Sequence, residues 1–338
     1  MAQMITMLCI VIHFYLWGKR IIIFFPLKMK IKKSIHLIHL KMVLLESILM
    51  GTTIAIGGGS LLYYYQNELL YPAKYRKKSR EFIVPKFSEE EIPYTEVILT
   101  TKDKVRIRAY LCKRKNDEEA CQRPTVLALH GNRGNIGKQS SIARNFYHNL
   151  KCNIMLLSYR GYGSSDGIPS EEGIKIDAQT ALDYIKQHPI LHDTKLILYG
   201  SSLGGAVAID LAAKNEDEVD ALIVENTFLS IPKLLPTFFS PLKYITFICT
   251  QIWPSDEQIK KIKKIPILFL SGKLDALVSQ QQMKELYELS NTLAGKEWKE
   301  FPYGNHGNTI TQPCYWNVIE EFLLWAIFDK NNKKEMNN

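Results

Sequence analysis

The residues of this chain best suited to chemistry lie at 196–205, which read Leu-Ile-Leu-Tyr-Gly-Ser-Ser-Leu-Gly-Gly. An apolar run ends in Gly-x-Ser-x-Gly and continues into Ala-Val-Ala-Ile-Asp-Leu-Ala-Ala, the pattern of a strand, a tight turn and a helix. A serine on such a turn is pushed out to where a substrate carbonyl can reach it, so Ser202 is the candidate nucleophile. Glycines at 200 and 204 lack the Cβ atoms that would clash where strand and helix approach. The pentapeptide alone is a weak signal, and its place between a strand and a helix gives it weight.

A nucleophilic serine needs a base, and the base needs an acid that fixes its tautomer. The chain has eight histidines, and only His306 follows both the elbow and a strand-end acid. The resulting order, Ser…Asp…His, is that of hydrolases whose serine sits on a strand–turn–helix elbow. His306 lies in Tyr303-Gly304-Asn305-His306-Gly307-Asn308, read as a flexible turn between the last strand and the last helix. The acid is Asp275, in the loop Ser271–Val278 after an apolar strand. A carboxylate there could instead cap a helix, and Glu225, which ends the preceding strand, is its rival.

A third loop, His130-Gly131-Asn132-Arg133-Gly134-Asn135, directly follows another apolar strand. It can aim a backbone N–H at a developing oxyanion, with the N–H of Leu203, next after the nucleophile, as the second donor. Asn132 is the first choice in that loop and Gly131 the next; the plain alternative is a simple turn. His130 reads as a structural histidine bonded to loop backbone. The segment 159–167, Tyr-Arg-Gly-Tyr-Gly-Ser-Ser-Asp-Gly, lacks the Lys-Ser/Thr of a phosphate-binding loop and is expected to pack beside the elbow.

Positioning these groups takes a sheet. Strands are expected at 96–100 and 105–112, joined by a charged turn, then at 125–130, 153–159, 195–199, 221–225, 266–271 and 298–301. Helical spacing covers 137–150, 170–188 with Ser170 as its N-cap, and 314–328. Gly173 is an imperfect early position in the second of these. The alternation implies a mostly parallel sheet of about eight strands flanked by helices, with the chemistry at the carboxyl ends of the strands. Residues 226–264, rich in Phe, Leu, Pro and Trp, break the alternation and read as a small apolar insertion over those ends. Residues 331–338 read as a disordered tail.

Charge is unevenly spread. Residues 1–80 hold twelve Lys/Arg and two Asp/Glu, whereas residues 81–338 are close to neutral. A duplex-binding surface on the main domain is therefore not expected, and no nucleic-acid partner is. Residues 1–80 read instead as a hydrophobic and basic anchor region preceding a hydrolytic domain at 81–330. Ser47 to Tyr65 runs nineteen residues without a charge and ends in three tyrosines suited to a headgroup belt, which makes 47–65 the candidate membrane span. A buried core helix is the alternative. The apolar stretch at 4–17 is short for a span, and no small-x-small cleavage site follows it. Basic residues lie on both sides of 47–65, so charge does not fix orientation. The six cysteines form no Cys-x-x-Cys pair and read as free thiols; only Cys112 and Cys121 could pair locally.

The segments 129–137, 159–167, 199–209 and 224–232, with Gly-Lys-Leu-Asp at 272–275 and Gly-Asn-His-Gly-Asn-Thr at 304–309, resemble the α/β-hydrolases. The closer resemblance is to the group of alpha/beta-hydrolase domain-containing protein thirteen and its fungal and protozoan bud-emergence-type relatives, over roughly residues 60–328. It implies an α/β-hydrolase fold with Ser202, Asp275 and His306 as the catalytic residues. It also implies a single N-terminal anchor in type II orientation. Two features depart from the group: residues 1–41 look extra, and Arg133 stands where relatives carry a small residue. The expected activity is hydrolysis of a carboxylic ester or thioester, lipid-like or S-acylated, through an acyl-enzyme, with no metal or organic cofactor. The partners are the acyl substrate and the bilayer. Two alternatives stand beside it: a dormant membrane-tethered scaffold with a hydrolase fold, and an oligopeptidase-like amide hydrolase sharing the same triad.

Overall fold

The computed structural model describes residues 12–16, 19–23, 27–73, 92–132 and 139–329, with side chains from residue 34 to 327. The chain forms two compact units, Met1–Leu62 and Tyr63–Asn338. The first holds an antiparallel hairpin of β1 (Ile12–Leu16) and β2 (Lys19–Ile23) and most of helix α1, Leu27–Leu70. Helix α1 is longer than the expected span because the flanking segments carry no helix breaker. Pro26 precedes its first residue, Pro72 follows two residues beyond its last, and no proline intervenes. Its stretch Ser34–Leu70 is long and apolar enough to cross a membrane.

The second unit is built on an eight-stranded sheet. Its strands are β3 (Thr95–Thr100), β4 (Arg106–Cys112), β5 (Thr125–Leu129), β6 (Asn153–Ser158), β7 (Leu196–Ser201), β8 (Ala221–Glu225), β9 (Ile267–Gly272) and β10 (Lys296–Phe301). The order across the sheet is β10-β9-β8-β7-β5-β6-β4-β3. Only β4 runs against its neighbours, paired antiparallel with both β3 and β6. This is the α/β-hydrolase fold. Strands β5 to β9 are buried except at Ser201, which ends β7, because helices cover both faces. Side chains alternate between two cores: Leu127, Leu198, Val224 and Phe269 enter one, and Val126, Tyr199, Ile223 and Leu268 the other.

The helices of this unit are short except two. Helix α2 (Asp117–Gln122) precedes β5, and α3 (Ser140–Arg144) continues into a wider turn through Asn149. Helix α4 (Glu171–Gln187) buries Ile174, Ala178, Ala181, Leu182 and Ile185 on one face, and Ser170 caps it by accepting a 3.1 Å bond from Gly173 N–H. Gly173 has a packing reason: a Cβ there would stand 2.6 Å from Cδ of Arg160. That arginine pairs with the buried Asp177 of α4 and with Asp103 of the β3–β4 turn, tying the 159–167 loop to both. Helix α5 (Leu203–Lys214) follows the elbow, and α6 (Ile231–Phe238), α7 (Ser255–Gln258), α8 (Gln280–Leu289) and α9 (Tyr315–Leu323) complete the unit. Cys112 and Cys121 are unpaired, the first buried and the second exposed.

The apolar insertion is narrower than 226–264. Residues 226–230 are buried, as are Trp253, Ile259 and Ile262, so both ends belong to the core. Leu234 is buried too, and 236–248 holds no buried residue.

Candidate active site

Strand β5 pairs with β6 on one side and β7 on the other, so the chain reverses direction across the sheet between them. Beyond the carboxyl ends of strands at such a reversal lies the crevice where open α/β sheets bind ligands. The loop after β5 carries His130, Gly131 and Asn132, and the turn after β7 carries Ser202.

Ser202 adopts φ +56° and ψ −121°, a conformation that side chains other than glycine rarely take. The surroundings hold it there. Its N–H donates to the Glu225 carbonyl at 2.9 Å, and its own carbonyl accepts from Thr227 Oγ1 at 2.8 Å. The expected glycine clashes are severe: a Cβ on Gly200 would stand 2.1 Å from the Gly204 carbonyl oxygen, and one on Gly204 would stand 1.9 Å from that of Leu129.

Asp275 and His306 converge on this serine from the ends of β9 and β10. His306 Nε2 lies 3.0 Å from Ser202 Oγ, and His306 Nδ1 lies 2.7 Å from Asp275 Oδ2. The other oxygen of Asp275 accepts from the N–H groups of Leu277 and Val278, each at 2.9 Å. Its side chain is 1% exposed and that of His306 21%, so the carboxylate is kept from water while the imidazole is reachable. A serine hydroxyl in this position can pass its proton to the imidazole as it attacks a carbonyl, and the carboxylate then faces the imidazolium.

Glu225 takes another place. Its carboxyl is buried and receives the hydroxyls of Tyr199, at 2.7 Å, and Tyr315. Burial pushes its pKa up, against the pull of those two hydroxyls. His306 thus bonds Asp275, and Glu225 bonds two tyrosines beneath the elbow.

Gly131 lies against the nucleophile: a Cβ on it would stand 3.4 Å from Ser202 Cβ and 3.3 Å from the Ser201 carbonyl oxygen. The Asn132 side chain accepts from Tyr162 Oη at 2.6 Å and donates to the carbonyl of Leu70. Leu203 opens α5 and is buried. Arg133 lies outside the described residues. His130 is buried against Tyr159 and Tyr162, with Nδ1 2.7 Å from the Gly131 carbonyl, and burial lowers its pKa to about 4. The 159–167 loop therefore buttresses the 130–132 loop from behind.

Two features differ from the sequence reading. The 303–308 turn is not loose: Asn305 Oδ1 accepts from the N–H groups of Gly307 and Asn308, while Asn308 Oδ1 accepts from that of Asn305. And Asn226, not singled out from sequence, joins the ends of three strands. Its N–H donates to the Leu270 carbonyl, its Oδ1 accepts from Gly272 N–H at 2.8 Å, and its Nδ2 donates to Thr309 Oγ1 at 3.0 Å. The available signal was its place directly after a buried strand.

A family model described as alpha/beta hydrolase fold matches residues 124–244. The chain is 47% identical over 274 residues to Protein bem46 of Schizosaccharomyces pombe, covering 80% of this chain and 89% of that protein. It is 39% identical over 274 residues to the Saccharomyces cerevisiae protein named "Uncharacterized membrane protein YNL320W", covering 81% of this chain and 93% of that one. Among solved structures, the Pyrococcus furiosus esterase Pf2001 matches with a TM-score of 0.58 at 19% identity, over 71% of this chain and 94% of that chain, a likeness of fold.

Proposed function

We propose, from the premise that this chain belongs to the α/β-hydrolase family with bem46 among its relatives, that it is a membrane-anchored serine hydrolase of carboxylic esters or thioesters. The observation that carries the reading is the unbroken relay from Asp275 through His306 to Ser202, on an elbow whose backbone is held in a rare conformation. His306 takes the proton from Ser202 Oγ as that oxygen bonds to the acyl carbon. Asp275 keeps the imidazole in the tautomer whose Nε2 is free to accept, and stabilises the imidazolium that forms. The N–H groups of Leu203 and of Asn132, or its neighbour Gly131, receive the oxyanion. His306 returns the proton to the leaving oxygen or sulfur, and a water deprotonated by the same imidazole then frees the acid and restores Ser202.

The substrates are lipid-like or S-acylated. Support comes from the apolar middle of the insertion and from α1, read as a single span through 47–65. The type II orientation follows the family resemblance. The test is labelling of the full chain in detergent with a fluorophosphonate, followed by peptide mapping and a panel of acyl esters, thioesters and amides. Adduct formation at Ser202 with long acyl chains preferred supports the reading. Absence of any adduct on folded protein would make the fold a dormant scaffold, and preference for short soluble esters or amides would remove the substrate class.

A further inference from the structure

The middle of the insertion carries large apolar side chains that stay exposed. Phe238, Phe239, Tyr244 and Phe247 are 53%, 61%, 71% and 82% exposed. Neither of the two short turns that follow α6, Ser240–Tyr244 and Thr246–Ile248, has a buried residue. The whole stretch 226–255 contains no Asp or Glu, and its two cations are Lys233 and Lys243. Lys233 pairs with Asp256, whereas Lys243 reaches over the ring of Tyr244. Exposed aromatics beside a lysine, in a segment with no acidic residue of its own, make a surface for a bilayer interface with anionic headgroups.

What fixes the occupant is where this surface is tethered. Thr250 N–H donates to Gln66 Oε1 at 2.7 Å, Tyr71 Oη donates to Gln251 Oε1 at 3.1 Å, and Trp253 Nε1 donates to Tyr71 Oη at 2.8 Å. Gln66 directly follows Tyr63-Tyr64-Tyr65, where an aromatic headgroup belt is expected, and stands two residues before Glu68, the next charge in α1. Phe247 is three residues from Thr250, a reach of at most about 10 Å. The headgroup layer on each side of a bilayer is about 5–8 Å deep. With Tyr63–Tyr65 in the headgroup layer, these bonds keep the 238–248 segment within reach of it.

We propose that residues 238–248 form a bilayer-docking surface, with Phe238, Phe239, Tyr244 and Phe247 entering the membrane interface beside the exit of α1. The surface makes the unit that holds the site lie on the bilayer at a fixed attitude. This rests on reading α1 as a span and is independent of the hydrolytic chemistry.

The test replaces Phe247, Ile54 or Leu293, one at a time, by the photocrosslinker benzoylphenylalanine in the full chain, reconstituted in phosphatidylcholine–phosphatidylserine vesicles. Leu293 is 91% exposed and lies in the turn before β10, at the amino ends of the parallel strands, away from the site. Irradiation followed by mass spectrometry is expected to give phospholipid adducts at 54 and 247, with at least a tenfold lower yield at 293. An adduct at 54 with equal low yields at 247 and 293 overturns the docking surface and leaves the anchor standing. No adduct at 54 overturns the anchor and the docking surface together. A crosslink from 247 to a second copy of the chain, without lipid, overturns the proposal and makes the segment a self-association surface. A Phe239→Ser/Phe247→Ser variant that keeps the wild-type fluorophosphonate labelling rate in detergent, yet loses at least half of the lipid adduct from a crosslinker at Tyr244, supports it independently of folding. An unchanged adduct yield at 244 in that variant counts against it.

Discussion

Two described helices carry long stretches almost free of charge, α5 with Asp210 alone between Leu203 and Ala213 and α1 with none from Ser47 to Tyr65, and they meet opposite fates. In α5, every residue from Leu203 to Ala212 is buried. In α1, the apolar window of Ser34–Leu70 that qualifies as a span has none of its residues buried within the structure. A helix without a polar face must be covered by protein or by lipid. Helix α5 is covered by the sheet so closely that a glycine, Gly204, is needed where it touches the β5 carbonyl and another, Gly205, where it touches Thr227. Helix α1 has glycines too, at 57, 58 and 59, and nothing within 4 Å of where their Cβ atoms would stand. Glycine in α5 answers a steric demand; in α1 no described residue makes one.

The largest expected effect separates the two regions without touching either helix. Ser202→Ala should lower hydrolysis by a factor on the order of 10⁶, as loss of the nucleophile does in a triad, and abolish fluorophosphonate labelling. Membrane association and melting temperature should stay as in the parent. Residual activity near the parental level would remove Ser202 from the mechanism.

Next comes the same substitution placed in each helix. Ile209 is fully buried in α5, so Ile209→Asp should destabilise the hydrolase unit by roughly 4 kcal/mol or more, an unpaired charge in a dry core. Ile54→Asp should leave the melting of that unit unchanged and instead weaken membrane insertion by about 3 kcal/mol, read as release by alkaline carbonate. Equal thermal destabilisation by both variants would make α1 a core helix and end the contrast.

Gly204→Ala tests the steric half of the comparison. The added methyl would meet a backbone carbonyl that cannot turn aside, so the elbow or β5 must move. A cost of about 3 kcal/mol, at the upper end for overpacking, is expected in denaturant titrations, together with loss of Ser202 labelling. Gly58→Ala, in open space, should change neither.

The sequence made the sheet and the relay legible for a shared reason. Buried parallel strands such as Val126–Leu129 and Ile267–Leu270 are short apolar runs bounded by loops, and the groups that do chemistry sit just past them. Strand ends and chain order therefore point to Ser202 and His306 and narrow the acid to Asp275 or Glu225. What stayed hidden depends on distance between loops. Asn226 looks like any polar residue after a strand until Gly272 and Thr309 are brought to it. The choice between Asp275 and Glu225 was open for the same reason: both end or follow a strand, and only the hydroxyls of Tyr199 and Tyr315 show what occupies Glu225. The extent of the insertion was blurred because Trp253 and Ile259, which are core, have the same apolar character as Phe247, which is exposed.

The smallest effect concerns the loop facing the nucleophile. His130 is buried against two tyrosines, its pKa is held near 4, and its Nε2 has no partner. An unfolded histidine titrates near 6.5, so between pH 6.5 and 4 the unfolded chain binds the proton and the folded chain does not. The stability carried by neutral His130 is thus complete above pH 6.5, is lost progressively as pH falls, and is fully lost below about pH 4. At pH 5.5 the loss from this one group is on the order of 1 kcal/mol. Other groups contribute slopes of their own, Glu225 in the opposite sense because its folded pKa is raised. The measurement is therefore a difference: denaturant midpoints of the parent and of His130→Gln, followed from pH 7 to 5. The variant should start less stable, because it gives up the packing on Tyr159, and the gap should narrow by about 1 kcal/mol between pH 7 and pH 5.5. A constant gap would mean that His130 is protonated in the fold, and that the loop beside Ser202 tolerates a buried cation which no described carboxylate bonds.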